Sequence, residues 1–270
     1  MAFPGATADR AEAAYVVVGA PLDATTSFQP GTRFGPRRIR TFAETFDDYD
    51  RRTGRRFTDL GVADDGDVRA WDDAAEYLEH LEAELGAVVG DGAVPLTLGG
   101  EHTVTVSGVR AVEPDVLVAL DAHLDLRDEY DGNRYSHACT ARRALETVEE
   151  TVIVGARTGS EAEWARADAD DVTVVPPEAA GEWRRSFAED ATVYLSVDID
   201  AADPAAAPGT GTMEPFGLDG ATMRDVVRRV APHASGFDVV EVNDRDDGQA
   251  AALAGKLLRE FVLAHAAGTV

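Results

Sequence analysis

Cysteine is nearly missing from this chain of 270 residues: Cys139 stands alone. No intrachain disulfide can brace the fold, and the redox compartment is left open, although a reducing one fits. A lone cysteine is more often a small buried hydrophobe than a nucleophile, so Cys139 is set aside as a source of chemistry. Basic residues are scarce as well. Against 50 Asp and Glu stand 25 Lys and Arg, a formal net charge of −25, and the summed field of such a surface repels nucleic acid and anionic membranes. Uninterrupted apolar runs long enough to span a bilayer are absent, and the opening segment MAFPGATADRAEAAY carries neither a basic leader nor a long apolar core. The expectation is a soluble, cytoplasmic protein. No repeat, low-complexity tract or Gly/Ser linker divides it, and a single α/β domain spanning 1–270 is expected.

What the chain does hold is acid spread through ADDGD, WDDAAE, RADADDVT and NDRDDG rather than gathered into one tail. That distribution suits a protein that folds in a salt-rich, halophilic cytoplasm, where counterions relieve the self-repulsion. Short β-branched runs alternate with helical patterns. Strands are expected at 14–20, 94–100, 115–123, 151–156, 172–176, 192–200 and 236–242. Several are continuously apolar, as strands buried on both faces should be. Helices are expected at 71–90, where Ala75, Leu78, Leu81 and Leu85 fall near helical spacing, and at 219–232 and 248–267, with Asp219 and Thr222 shaping a helix start. This rhythm predicts a three-layer αβα sandwich around a mostly parallel sheet.

Polar residues collect where strands end: GGEH closes one, DAHLD another and SVDID a third, and ligands of open α/β sheets bind at such carboxyl ends. Asp121, His123 and Asp125 alternate after VLVAL, a spacing that on extended chain points all three one way. Asp198 and Asp200 repeat the pattern, and His102 follows VPLTLGGE. Any one of these is ordinarily a turn former, a cap or a hydrogen-bonded histidine. Together, four carboxylates and two imidazoles would repel ruinously if buried without cations. The mixed oxygen and nitrogen set suits hard-to-borderline divalent ions such as Mn²⁺, whereas a closed zinc site would draw on thiolates. Four carboxylates also exceed the charge of one divalent ion, so two ions are the natural count.

These motifs resemble those of the ureohydrolases, the arginase and agmatinase family. The likeness runs from GAPLDATTSFQPGTRFGPRRIR (19–40) through GGEHT (99–103) and DAHLDLRDEYDGNRYSHA (121–138) to SVDIDAADPAAAPGTGTMEP (196–215) and GFDVVEV (236–242). The resemblance implies two Mn²⁺ per subunit, one held by His102, Asp121, Asp125 and Asp198, the other by Asp121, His123, Asp198 and Asp200. It further implies that Asp125 orients the attacking water. His137 would be a mobile acid and base for the departing amine, Glu241 a carboxylate that grips the guanidinium, and 208–215 a wall lining the substrate. RFGPRRIR would support the fold without a catalytic role. A homotrimer or homohexamer is implied by the same analogy.

The stretch LRDEYDGNRYSHA looks like the agmatinase branch rather than the Asn-containing arginase one, and its acids suit a cationic substrate such as agmatine. Arg127 is expected to face solvent or a salt bridge; facing the cavity, it would favour 4-guanidinobutyrate or another guanidino acid. After EV, the segment NDRDDG (243–248) departs from the family's Ser-Pro-Pro turn. Alternatives are another guanidino hydrolase, acting on 4-guanidinobutyrate or arginine, a single-zinc deacetylase, which the complete two-metal set argues against, and a non-catalytic paralogue, whose hallmark would be a lost ligand. None is lost.

Overall fold

The computed structural model describes residues 1–69, 71–188 and 190–268. Eight strands form one sheet: β1 (Tyr15–Ala20), β2 (Val62–Asp67), β3 (Val94–Gly99), β4 (Val116–Leu120), β5 (Glu150–Val154), β6 (Val172–Val175), β7 (Val193–Asp198) and β8 (Ala234–Val240). Their order across the sheet is β2-β1-β3-β8-β7-β4-β5-β6, and every neighbouring pair is parallel. The seven expected strands are all present.

β1 shows why the layers form. Its residues are all buried, and alternate side chains serve opposite faces. Val17 belongs to the same core as Ile39 and Ala43 of helix α1 (Gly35–Ala43) and Leu257, Leu258 and Phe261 of the C-terminal helix (Gln249–Gly268). Val16 and Val18 belong instead to a second core with Tyr77, Leu81, Leu85 and Val88 of helix α2 (Ala74–Gly90). Two apolar interfaces on one sheet make the αβα sandwich.

Local signals place the helix ends. Asp73 accepts from the Glu76 N–H at 3.0 Å, so α2 begins there and not at 71, and the buried stripe starts at Ala74 and Tyr77 rather than Ala75. Asp219 accepts from the Thr222 N–H at 2.6 Å, opening the helix Gly220–Val230. Strand β2 escaped the sequence reading because VADDGD is acidic. Arg40 explains it: this buried side chain of α1 grips Asp64 through Nε and Nη2, both at 2.8 Å, and also reaches Asp67.

Candidate active site

Four central strands, β3, β8, β7 and β4, deliver the site from their carboxyl ends. After β3 the chain passes Gly100, where a Cβ would stand 1.9 Å from the Leu22 carbonyl oxygen. Glycine permits that approach and sets Glu101 and His102 into the interior. β4 stops at Leu120, short of the expected 123, so Asp121, His123 and Asp125 lie on the loop beyond it. The alternation read as extended chain is broken there: Asp125 is left-handed, φ 50, a strained conformation that aims its carboxylate at His102. β7 ends at Asp198, which accepts from the Asp200 N–H at 2.8 Å in a tight turn. Glu241, just past β8, is also left-handed, φ 61, and accepts from the His102 N–H at 2.9 Å.

The structure brings all six expected ligands together. His102 Nδ1 lies 2.9 Å from Asp125, 3.1 Å from Asp121 and 3.5 Å from Asp198. His123 Nδ1 lies 2.9 Å from Asp200 and 3.6 Å from Asp121. Two overlapping groups result, His102–Asp121–Asp198 and Asp121–His123–Asp200, each with its donor atoms within 4.8 Å, and Asp121 belongs to both. Behind them, His102 Nε2 meets Ser196 Oγ at 3.2 Å, and Ser196 donates to the buried Asp238 at 2.6 Å. That back contact fixes the ring with Nδ1 aimed at the carboxylates, as an outer partner does for a metal-binding histidine.

The electrostatics test whether cations fit. Burial alone would hold His123 down, yet Asp200 and Asp121 override it and raise its pKa to about 12. Burial likewise opposes a charge on His102, and Asp121 and Asp125 lift it well above its ordinary value. Asp198 is pushed well above the usual carboxylate range by burial and by Asp200, Asp121 and Glu241. Asp125 rises to about 6 through burial and the charge of Asp121. The cluster demands positive charge, and protons on the two Nδ1 atoms occupy the positions between imidazole and carboxylate that divalent ions fit. Carboxylate and imidazole donors without thiolate match a hard or borderline ion. Cys139 is buried, and burial pushes its thiol up to about 11, leaving it inert.

Beside the cluster opens a cavity of about 340 Å³, lined among others by Asp125, His137, Glu241, Arg127, Ser27 and Thr212. His137, on a short turn capped by Ser136, puts Nδ1 3.2 Å from Glu241 Oε1. Burial lowers its basicity, but the bond to Glu241 and the charges of Glu241, Asp125 and Glu101 raise its pKa to about 9. Arg127 does both things weighed for it: it lines the cavity, and it pairs with Glu163 at 3.2 Å while stacking 5.3 Å over Tyr130. The 208–215 segment contributes Thr212. The divergent 243–248 turn braces that wall, since Asn243 donates to Gln29 O at 3.0 Å and takes its own N–H to Gly209 O at 2.8 Å.

Sequence reasoning missed Ser27, Glu163 and Tyr130, whose positions depend on loops meeting at long range. It also missed Arg157, whose guanidinium donates at 2.6–3.3 Å to the carbonyls of Gly155, Asp200, Ala201, Ala202, Glu214 and Pro215, tying the Asp200 turn to the 208–215 wall. An arginine after a strand carries no spacing signal, and none could have found it.

Comparison with known proteins agrees with this geometry. A family model, the arginase family, matches residues 13–264. An agmatinase of Pyrococcus horikoshii is 35% identical over 261 residues, covering 93% of this chain and 92% of its own. A guanidinobutyrase of Pseudomonas aeruginosa is 37% identical over 277 residues, covering 94% of this chain and 86% of its own. The crystal structure of the agmatine ureohydrolase of Thermoplasma volcanium matches with a TM-score of 0.91 and 36% identity, over 98% of this chain and 94% of that one. A family of binuclear metal enzymes, a buried histidine and aspartate cluster at the sheet's carboxyl rim and full-length likeness converge: the chain belongs to the arginase family and is a hydrolase.

Proposed function

We propose that the protein hydrolyses agmatine to putrescine and urea with two Mn²⁺ per subunit, as a single ureohydrolase domain in a cytoplasmic homotrimer or homohexamer. The observation that carries the reading is the cavity itself. Carboxylates and an imidazole of the cluster line it together with Glu241 and His137, which stand 3.2 Å apart. His102, Asp121, Asp125 and Asp198 would hold one ion, and Asp121, His123, Asp198 and Asp200 the other; ions so placed supply an acidified water near neutral pH.

The chain's own residues do the rest. Glu241 pairs with the planar guanidinium and fixes its carbon before the cluster, the strongest recognition open to that cation. Asp125 orients the attacking water by a hydrogen bond. As the water oxygen bonds to the carbon, His137, once doubly protonated, hands a proton to the departing nitrogen and the carbon–nitrogen bond to the alkyl amine breaks; the water gives up two protons as it becomes the urea oxygen, one restoring His137 and the other leaving with the amine as putrescine.

Agmatine is favoured over a guanidino acid because Arg127 is engaged by Glu163 and Tyr130, while Asp125, Glu163, Asp198, Asp200 and Glu241 line the same cavity. The second reading, 4-guanidinobutyrate, rests on the same Arg127 lining the cavity. Urea release by the Mn²⁺-loaded protein in molar KCl, from agmatine, arginine and 4-guanidinobutyrate in parallel, separates them. We expect agmatine to lead, and Arg127→Gln to leave its KM within about threefold. A KM for guanidinobutyrate that rises about tenfold in the variant, near 1.4 kcal/mol, would instead identify Arg127 as a carboxylate partner. No urea from any of the three would sink the proposal.

A further inference from the structure

The loop between β1 and α1 reaches His137 from the side away from Glu241, and its anchorage is unusual. Glu101, fully buried next to the ligand His102, accepts from the Thr25 N–H and from Thr25 Oγ1, both at 2.8 Å, and from Thr26 Oγ1 at 3.4 Å. Thr25 Oγ1 in turn accepts from the main-chain N–H of His137 at 3.0 Å. One residue further, Ser27 aims its main-chain N–H at His137 Nε2 at 3.2 Å and places Oγ 2.9 Å from the same nitrogen. An amide N–H can only donate, so it requires a lone pair on Nε2, and a neutral ring must then carry its proton on Nδ1, the atom facing Glu241.

We propose that Ser27 is a positioning residue for His137, selecting the tautomer protonated at Nδ1, and that Glu101 is the buried anchor of the loop presenting it. This rests on His137 being the acid and base of the reaction. In this neutral resting ring the Nδ1 proton is shared with Glu241 while Nε2 accepts from the loop; to serve as the acid the ring takes up a second proton, at Nε2, and returns to neutral by giving one to the departing nitrogen. Protonating Nε2 as well would set two N–H donors against each other, so a doubly protonated ring must turn away from the Ser27 amide, with Ser27 Oγ as its remaining acceptor there. The charged groups Glu241, Asp125 and Glu101 favour that second proton. Divalent ions bound beside the cluster would weaken their pull and leave the Ser27 contact intact.

The test is ¹⁵N NMR of histidine-labelled, full-length protein loaded with diamagnetic Mg²⁺, with His137 assigned by the signal lost in His137→Asn. The ring nitrogen shifts distinguish the two tautomers without any turnover. The expected result is a neutral His137 protonated at Nδ1. In Ser27→Pro, which lacks the N–H, and in Glu101→Gln, which cannot accept at both carboxylate oxygens, the tautomer protonated at Nε2 should appear, with kcat down at least about tenfold and KM within about threefold. Ser27→Ala, which keeps the amide and is the variant safest for folding, should retain the wild-type tautomer. A wild-type ring protonated at Nε2, or a tautomer unmoved in both Ser27→Pro and Glu101→Gln, overturns the proposal. If the wild type releases no urea, the functional reading fails while the spectra still decide this one.

Discussion

At one edge of the sheet Asp64 and Asp67 meet Arg40, while at the centre of the carboxyl rim the ion-pair partners of Asp121, Asp125, Asp198 and Asp200 among the described residues are His102 and His123. The first group carries its counter-charge in the chain. Asp64, nearly inaccessible, accepts two bonds from Arg40 and one each from the Phe3 and Gly66 N–H groups at 2.6 and 2.8 Å. Burial lowers the basicity of Arg40, but Asp64 and Asp67 override it and raise the guanidinium's pKa further, so it never surrenders its proton. The second group has more acid, and its bases can be neutral. A permanent cation locks structure; carboxylates paired with titratable rings can exchange the ring protons for ions. The two clusters respond to different losses.

The largest effect should come from Asp198→Asn, which removes charge from the group expected to serve both ions. Activity should fall about a thousandfold or more, and metal content, read by elemental analysis, from two ions toward one or none. Two tightly held ions with full turnover would refute the assignment. Breaking the other cluster should act on stability alone. Arg40→Met leaves Asp64 buried without its partner, at a cost of about 3–5 kcal/mol and a fall in melting temperature on the order of 10 °C. Turnover per folded molecule should be unchanged. An unshifted melting curve would mean that Arg40 does not stabilise the edge.

The two clusters were unequally legible in the sequence. The rim was readable because its residues come in short-range patterns after apolar runs: DAHLD after VLVAL and SVDID after VYLSV. That these ends become neighbours was not, since strands third, fourth, seventh and eighth in the chain lie together in the order β3-β8-β7-β4, an outcome of packing rather than of any motif. The edge was hidden because VADDGD looks like a loop until Arg40 supplies the missing partner from α1. Ser27 was invisible for the same reason, lying 110 positions from the ring it touches. Strand ends were overestimated where ligands sit, at 121–123 and 199–200, because the left-handed Asp125 and the Asp198–Asp200 turn depart from extended chain to converge.

A third consequence concerns protons. His123 is raised to about 12 by Asp200 and Asp121, and His102 is raised well above its ordinary value by Asp121 and Asp125, so both rings favour the protonated form that ions must displace. Mn²⁺ binding should therefore release protons, at least one per chain, measurable by calorimetry in buffers of different ionisation enthalpy. The sign follows: protons compete with ions, so affinity weakens as pH falls and strengthens as it rises through the neutral range. Release of no protons would show that the rings are already neutral, and the contrast with Arg40 would lose its basis.

The smallest expected effect separates surface acid from buried acid. Asp72, Asp73, Asp168, Asp170, Asp244 and Asp247 are all exposed, within a net charge of −25. Their repulsion is screened over about 3 Å in molar salt but over more than 10 Å in dilute buffer. Melting should therefore rise on the order of 5 °C from dilute to molar KCl; indifference to KCl would remove the case for a salt-adapted surface. The Arg40–Asp64 pair is shielded from solvent, so salt should not reach it. The gap between wild type and Arg40→Met should stay the same at both salt concentrations, and a gap that closes in molar KCl would show that this pair behaves like the surface and not like the core.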